Sequence, residues 1–139
     1  MADKANNNWL ADIISAMRAL GGGALLRDIY RWVQRHRSDL PTEHESVVRA
    51  TIYAHSTDAR AYVQGNPDVF KNVSRGEWGL RFPDDDIPTH RMSETDWFVH
   101  LLDKMTPEEV KSYSGRGEAL IEDIRRRVRE AQTRYRTDA

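Results

Sequence analysis

The chain has 139 residues, the length of one ordinary domain, with 31% charged and 39% apolar residues and a formal net charge of −1. The absence of cysteine excludes disulfides, a thiol nucleophile and thiolate metal ligands. No apolar run has the length of a membrane helix and the first residues lack a signal-peptide pattern, so we expect no membrane partner. Because the net charge is close to zero, a basic surface could only come from local clustering of Lys and Arg.

The first predicted helix begins near Trp9, where Asn7 or Asn8 is placed to cap it. Its apolar residues recur at helical spacing and define one buried face: Leu10, Ile13, Ile14, Met17 and Leu20. Three consecutive glycines, Gly21 to Gly23, then end the helix.

A second helix is predicted from Leu26 to Arg37, after a very short strand at Ala24 and Leu25. Its buried face would consist of Leu26, Ile29, Tyr30 and Val33. On the opposite side Arg27, Arg31 and Arg35 recur every four residues and form a basic stripe, which we interpret as a solvated face.

A third helix is predicted over residues 42–57. Thr42 is placed to cap it, and Glu45 completes the pattern of a capping box. Its exposed face would carry Ser46, Arg49 and Tyr53. Arginine contacts guanine edges with two hydrogen bonds, and hydroxyl groups reach phosphates or bases, so this face suits the major groove of DNA. An ordinary amphipathic helix with a solvated surface has the same pattern, and both interpretations stay open.

Residues 69–82 have the pattern of a β-hairpin. Trp78, Leu80 and Phe82 occupy every second position and therefore share one face of a strand, with residues 69–73 as the partner strand. The segment Ser74-Arg75-Gly76 supplies the glycine that a short turn needs.

A helix followed by such a hairpin is the core of a winged helix-turn-helix. The predicted fold class is therefore mainly α with a small β-hairpin wing, a winged helix-turn-helix domain over residues 1–82 followed by a C-terminal helical segment. Lys71 and Arg75 lie near the turn of the hairpin, where a wing can touch the phosphate backbone or the minor groove.

Several positions of these elements carry a family resemblance: Ile29, Tyr30, Arg49, Ile52, Phe70, Val73, Gly76, Trp78 and Leu80. In this pattern the chain, over about residues 8–82, resembles the HARE-HTH type of winged helix and related modules of bacterial restriction-modification proteins. The resemblance implies a winged helix that binds DNA or links enzymes to DNA, and it carries over no catalytic residue. The chain departs from the fused members of the group because it has no recognisable enzyme domain, which favours a free-standing regulator.

Residues 83–92 begin with the sequence PDDDIP and are interpreted as an acidic linker between residues 1–82 and residues 93–139. Neighbouring carboxylates diverge along an extended chain, whereas Mg²⁺ and Ca²⁺ need converging oxygens. We therefore predict no metal site at the three aspartates.

The C-terminal segment, residues 93–139, is predicted to be helical, with helix starts at Ser93 and Thr106 and a last helix over about residues 118–134. The last helix has apolar residues at alternating spacings of three and four, as in a coiled-coil seam. We expect a homodimer through Trp97, Leu101, Ile121, Ile124 and Val128. The alternative is that the last helix folds back on the apolar stripe from Trp97 to Met105 within one chain.

The sequence predicts no catalysis and no cofactor, because its histidines are scattered and no phosphate-binding glycine loop or nucleophile motif is present. The leading hypothesis is a small, sequence-specific transcriptional regulator that binds double-stranded DNA as a homodimer and is cytoplasmic and nucleoid-associated. Its DNA-binding residues would be Thr42, His44, Ser46, Arg49, Tyr53, Lys71 and Arg75. The alternatives are a winged-helix adaptor for other proteins and the DNA-specificity subunit of a restriction or nuclease system.

Overall fold

The computed structural model describes residues 8–137, which are mainly helical and include one small antiparallel sheet. In chain order the elements are α1 (Trp9–Ala19), β1 (Gly23–Leu25), α2 (Leu26–His36), α3 (His44–Ala54), β2 (Phe70–Ser74), β3 (Glu77–Leu80), α4 (Glu94–Lys104), α5 (Pro107–Lys111) and α6 (Gly117–Tyr135). None of the helices in this part of the chain combines the length and the apolarity needed to cross a membrane.

The three strands form a sheet in the order β1-β3-β2, with both pairs antiparallel. The predicted hairpin is confirmed, and its turn consists of Arg75 and Gly76, with Gly76 at a φ of 74° that glycine adopts at little cost. Gly23 faces Gly79 across the sheet, and a Cβ atom at Gly23 would lie only 3.0 Å from the carbonyl oxygen of Trp78. The close approach of β1 to β3 therefore depends on glycine.

Helices α1, α2 and α3 pack against one another, and α1 and α2 also contact the sheet. The fully buried residues come from each of these elements: Ile13, Met17, Ile29, Val33, Val48, Ile52, Phe70 and Leu80. Asn8 caps α1 as predicted, with its side chain accepting a hydrogen bond from the Ala11 amide at 3.0 Å. Leu20 was wrongly assigned to the buried face, because it follows the last helical residue and is 37% exposed.

The start of α3 differs from the prediction. The helix begins at His44 and ends at Ala54, whereas residues 42–57 were predicted. Glu43 occupies the capping position without a side-chain hydrogen bond, and Thr42 lies in the preceding turn, which closes between the His44 amide and the Pro41 carbonyl at 3.1 Å. The predicted capping box of Thr42 and Glu45 is therefore wrong.

Residues 83–92 are held against the rest of the chain, in contrast to a free spacer. Ile87 and Met92 are buried in the core. The Asp85 carboxylate accepts hydrogen bonds from the Arg134 guanidinium, at 2.8 and 3.2 Å, and from the Tyr135 hydroxyl at 2.8 Å. This segment therefore fastens the end of α6 to the preceding residues, while the domain boundaries on either side of it stay a prediction.

Helix α6 folds back on α4 within the chain, as in the alternative arrangement. Ser93 and Thr106 cap α4 and α5 at the predicted helix starts, and each forms a capping box with the acid three residues on. Trp97 of α4 stacks on Tyr135 of α6 with 5.8 Å between ring centroids, and its indole N–H donates to the Thr137 hydroxyl at 2.9 Å. Because the start of α4 meets the end of α6, the two helices run in opposite directions.

This packing corrects the residues expected at a dimer seam. Trp97, Ile124 and Val128 are only 1% to 2% exposed and already belong to the core of one chain. They cannot also contact a second copy without opening that core. Of the predicted seam residues, Leu101 is half-buried and Ile121 is 41% exposed.

Candidate nucleic-acid interface

The exposed face of α3 carries an arginine that is held in a fixed orientation. Arg49 donates through Nη1 to the Tyr30 hydroxyl of α2 at 3.1 Å and through Nη2 to the Ser46 hydroxyl at 3.3 Å. The hydrogen bond to Tyr30 raises the pKa of Arg49 further above its ordinary value. Two predicted site residues, Ser46 and Arg49, thus lie together, and Tyr30 is a partner that the sequence analysis had assigned to the core.

The Tyr53 side chain packs against the sheet, whereas the prediction placed it on the exposed face of α3. Its ring lies against Trp78 of β3, with 5.5 Å between centroids and an angle of 50° between the rings, and its side chain is half-buried. This contact fastens the last turn of α3 to the sheet. Tyr53 therefore positions α3 on the hairpin, and its contact with DNA stays a prediction.

The other two predicted residues near α3 differ in accessibility. Thr42 is exposed in the turn before the helix. His44, the first helical residue, is half-buried, and its Nε2 atom is buried without a hydrogen-bond partner in the described part of the chain. Glu43 and Glu45 are exposed at the same end. The positive charge of α3 therefore lies one turn further on, at Arg49.

The hairpin carries two predicted cations, Arg75 in its turn and Lys71 in β2, where Lys71 pairs with Gly79 and therefore lies further from the turn than predicted. Lys71 and Arg75 are exposed, and within residues 8–137 neither forms an ion pair. The Asn72 side-chain amide donates to the carbonyls of Ser74, at 2.8 Å, and Glu77, at 3.1 Å, which bridges the two strands. The hairpin is thus rigid close to its turn.

The turn of the hairpin lies beside the first turn of α2. The Leu26 amide, directly after β1, donates to the Gly76 carbonyl at 2.9 Å. The hairpin turn therefore lies level with the end of β1 and does not project beyond it. Arg27 follows directly and is exposed, at 4.0 Å from Asp28. The basic stripe of α2 thus begins next to Arg75, a proximity that the sequence analysis missed because it depends on strand register.

The loop between α3 and β2 completes this side of the molecule. Together with Tyr53 and Trp78 it lines a shallow groove of about 350 Å³, in which Asp58, Arg60 and Asn72 also take part. The Asp58 carboxylate accepts a hydrogen bond from the backbone amide of Asn72 at 2.8 Å and lies 3.1 Å from Nη2 of Arg81. Its carboxylate therefore holds the loop on β2, and exposed Arg60 adds a cation near the hairpin.

Exposed cations without an ion pair occur in residues 8–82 and also on the C-terminal helices, where Lys111 and Arg129 have no carboxylate partner in the described residues. In the described residues, Arg31, Arg35, Arg60, Lys71 and Arg75 are exposed and have no carboxylate partner. Other cations of the C-terminal helices are paired: Lys104 with Asp86, Arg125 with Glu122, Arg126 with Asp123 and Glu130, and Arg134 with Asp85. We name the surface formed by Ser46, Arg49, Lys71 and Arg75 the α3/hairpin surface.

The buried carboxylate of Asp68 serves the scaffold of this surface. Asp68 is 3% exposed and accepts hydrogen bonds from the Thr57 amide and hydroxyl, both at 2.9 Å, and its Oδ2 lies 3.3 Å from Nε of Arg81. These contacts fix the loop between α3 and β2 at both ends. Within residues 8–137, no group of three or more His, Asp or Glu side chains has an arrangement suited to a metal ion.

Comparison with known proteins adds no family. No protein-family model, curated protein or solved structure matches the chain. The functional inference therefore depends on the residues of the α3/hairpin surface and their geometry.

Proposed function

We propose that this protein binds double-stranded DNA through the α3/hairpin surface, with α1–α3 and the three-stranded sheet acting as a winged helix. The observation that carries the proposal is the Arg49 side chain, held by Tyr30 and Ser46 on the outer face of α3, together with exposed Lys71 in β2 and Arg75 in the hairpin turn, which form no ion pair in the described residues. The resemblance to HARE-HTH winged helices supports the same conclusion, and the order of helices and strands is compatible with it.

The dimensions of α3 agree with this docking. Its 11 residues make a helix about 16 Å long. The major groove of B-DNA is about 12 Å wide and admits one helix. With α3 in the groove, the guanidinium of Arg49 faces base edges, where it can donate two hydrogen bonds to guanine. Ser46 and Thr42 would reach phosphate oxygens on the same side.

The hairpin would contact the flanking backbone. Lys71 and Arg75 have no intramolecular carboxylate partner in the described residues, so their charges are available to phosphates. Arg27 at the start of α2 would extend this contact, because the Leu26 amide is hydrogen-bonded to the hairpin turn. The biological role that fits best is a small transcriptional regulator, cytoplasmic and nucleoid-associated, acting on an inverted repeat as a homodimer.

A fluorescence-anisotropy titration of the full chain with duplex DNA at about 50 and about 200 mM salt tests the proposal. Three phosphate contacts, by Arg27, Lys71 and Arg75, would give a slope of log K against log salt of about −2.7. Absence of binding at both salt concentrations would overturn the proposal.

A protein-interaction adaptor is the second candidate. It is favoured by the net charge of −1 and by the exposed Glu43 and Glu45 beside α3, which would repel phosphates. In that case α3 would dock on a basic protein surface, and the salt titration with DNA would show no binding.

A further inference from the structure

A groove on the C-terminal helices is lined by apolar side chains, of which Ile121 is left exposed and Phe98 is half-buried. It lies between α4 and α6 and has a volume of about 400 Å³, with Phe98 of α4 and Ile121 and Val128 of α6 among its lining residues. Ile121 is 41% exposed, and Leu102 and Val99 on the adjoining face of α4 are 38% and 51% exposed. Covering this α4/α6 groove would therefore remove the exposed apolar surface of Ile121 and Phe98 from water.

The two rims of the groove carry opposite charges. Glu94 lies on the α4 rim, and Arg125 and Arg129 lie on the α6 rim. Within residues 8–137, neither Glu94 nor Arg129 forms an ion pair, while Arg125 reaches Glu122 at 3.7 Å with both side chains well exposed. The groove thus has an acidic edge and a basic edge on either side of an apolar floor.

This pattern is self-complementary. A two-fold contact places the same surface on both partners, so each feature must find its complement within that surface. With the two-fold axis parallel to the helices, α4 of one copy lies over α6 of the other. Glu94 of each copy then faces Arg125 and Arg129 of the other, because these residues line the same groove on opposite rims.

We propose that a second copy of this chain covers the α4/α6 groove, forming a two-fold dimer in which Ile121 lies in the apolar centre and Glu94 pairs with Arg129 across the interface. A partner helix of uniform charge would match one rim and be repelled by the other, which favours a second copy. The proposal does not depend on DNA binding, since the groove shares no residue with the α3/hairpin surface. In this dimer the apolar contacts between the copies come from Phe98 and Ile121, and not from Trp97, Ile124 and Val128 as the sequence predicted.

Sedimentation velocity of the full chain between about 1 and 100 μM tests this dimer. Ile121→Glu places a charge in the centre of the interface and should raise the dimer dissociation constant by about tenfold or more. Val63→Glu is the matched control, because Val63 is 46% exposed and lies in the loop before β2, outside the groove. Circular dichroism on both variants verifies that the fold is retained.

A charge exchange distinguishes this geometry from other dimers. Glu94→Arg and Arg129→Glu should each weaken the dimer, and the double variant should recover most of the wild-type affinity because the ion pair is restored with reversed polarity. A wild-type chain that stays monomeric at about 100 μM would overturn the proposal. A dimer that tolerates Ile121→Glu, or a double variant no stronger than the singles, would do the same.

Discussion

The Tyr30 hydroxyl of α2 accepts a hydrogen bond from Nη1 of Arg49 on α3 at 3.1 Å, which joins the two helices at the surface proposed to enter DNA. The bond orients a guanidinium before any ligand is present. An oriented donor loses less conformational freedom when it meets its acceptor, so it discriminates between ligands better than a mobile one.

Replacement of Arg49 should therefore reduce specificity more than general affinity. Arg49→Ala should raise the dissociation constant for a selected site by about tenfold to a hundredfold, with a smaller change on random duplexes. Tyr30→Phe leaves the charge of Arg49 in place but removes the hydroxyl that accepts its hydrogen bond. We expect the affinity for the selected site alone to fall about threefold. Competition titrations with both DNAs measure the two effects. Equal losses on both duplexes would assign Arg49 to a phosphate.

The hairpin cations should act through charge alone. Lys71→Ala together with Arg75→Ala should reduce the magnitude of the salt slope by about one to two, because each phosphate contact contributes about 0.9. Lys104→Ala together with Lys111→Ala removes the same charge from the exposed ends of α4 and α5 and should leave the slope unchanged. A similar slope change in both double variants would show that net charge, not the hairpin, determines affinity.

The carboxylate of Asp85 should stabilise the end of α6. Asp85→Ala removes the acceptor of the Tyr135 hydroxyl, and Tyr135 is only 3% exposed. The free energy of unfolding should therefore fall by about 1–3 kcal/mol. The neighbouring Asp84 is exposed and has no contact of this kind in the described residues, which makes Asp84→Ala a matched control. Urea unfolding measures both, and equal midpoints for the two variants would contradict this role.

His55 should make stability depend on pH. Burial lowers the pKa of His55, against the opposing effect of its hydrogen bond with the Thr51 carbonyl at 2.8 Å. The unfolded chain, with the ordinary pKa of about 6.5, then binds a proton more readily than the folded chain. The stabilisation is complete above that value and is lost as the pH falls toward the folded pKa.

His55→Gln should flatten the pH dependence of urea midpoints below pH of about 6.5, whereas His90→Gln at an exposed position should not. An unchanged slope in His55→Gln would show that another group carries the proton linkage.

Features that depend on neighbouring residues were predictable from the sequence. The capping boxes at Ser93 and Thr106 need only a hydroxyl and an acid three residues apart. The hairpin turn needs a glycine between two strand patterns, which Gly76 supplies. The pattern of a capping box is also present at Thr42, but no capping box forms there. Thr42 instead lies in a turn that closes between the His44 amide and the Pro41 carbonyl.

Features that join distant residues were not predictable. The bond from Arg49 to Tyr30 spans 19 positions and the pair of Arg134 and Asp85 spans 49. The apolar spacing of α6 was visible, but the same periodicity suits packing on α4 and packing on a second copy. Only the three-dimensional arrangement shows that Ile124 and Val128 are buried within one chain and that Ile121 is left exposed.

The most direct test of DNA binding is a titration of the isotope-labelled full chain with a short duplex, followed through its backbone amide NMR signals. We predict that the shifts concentrate in α3 from His44 to Tyr53, in the hairpin from Lys71 to Glu77 and in the first turn of α2, with α4 and α6 unaffected. Shifts confined to α4 and α6, or no shifts at saturating DNA, would contradict the account.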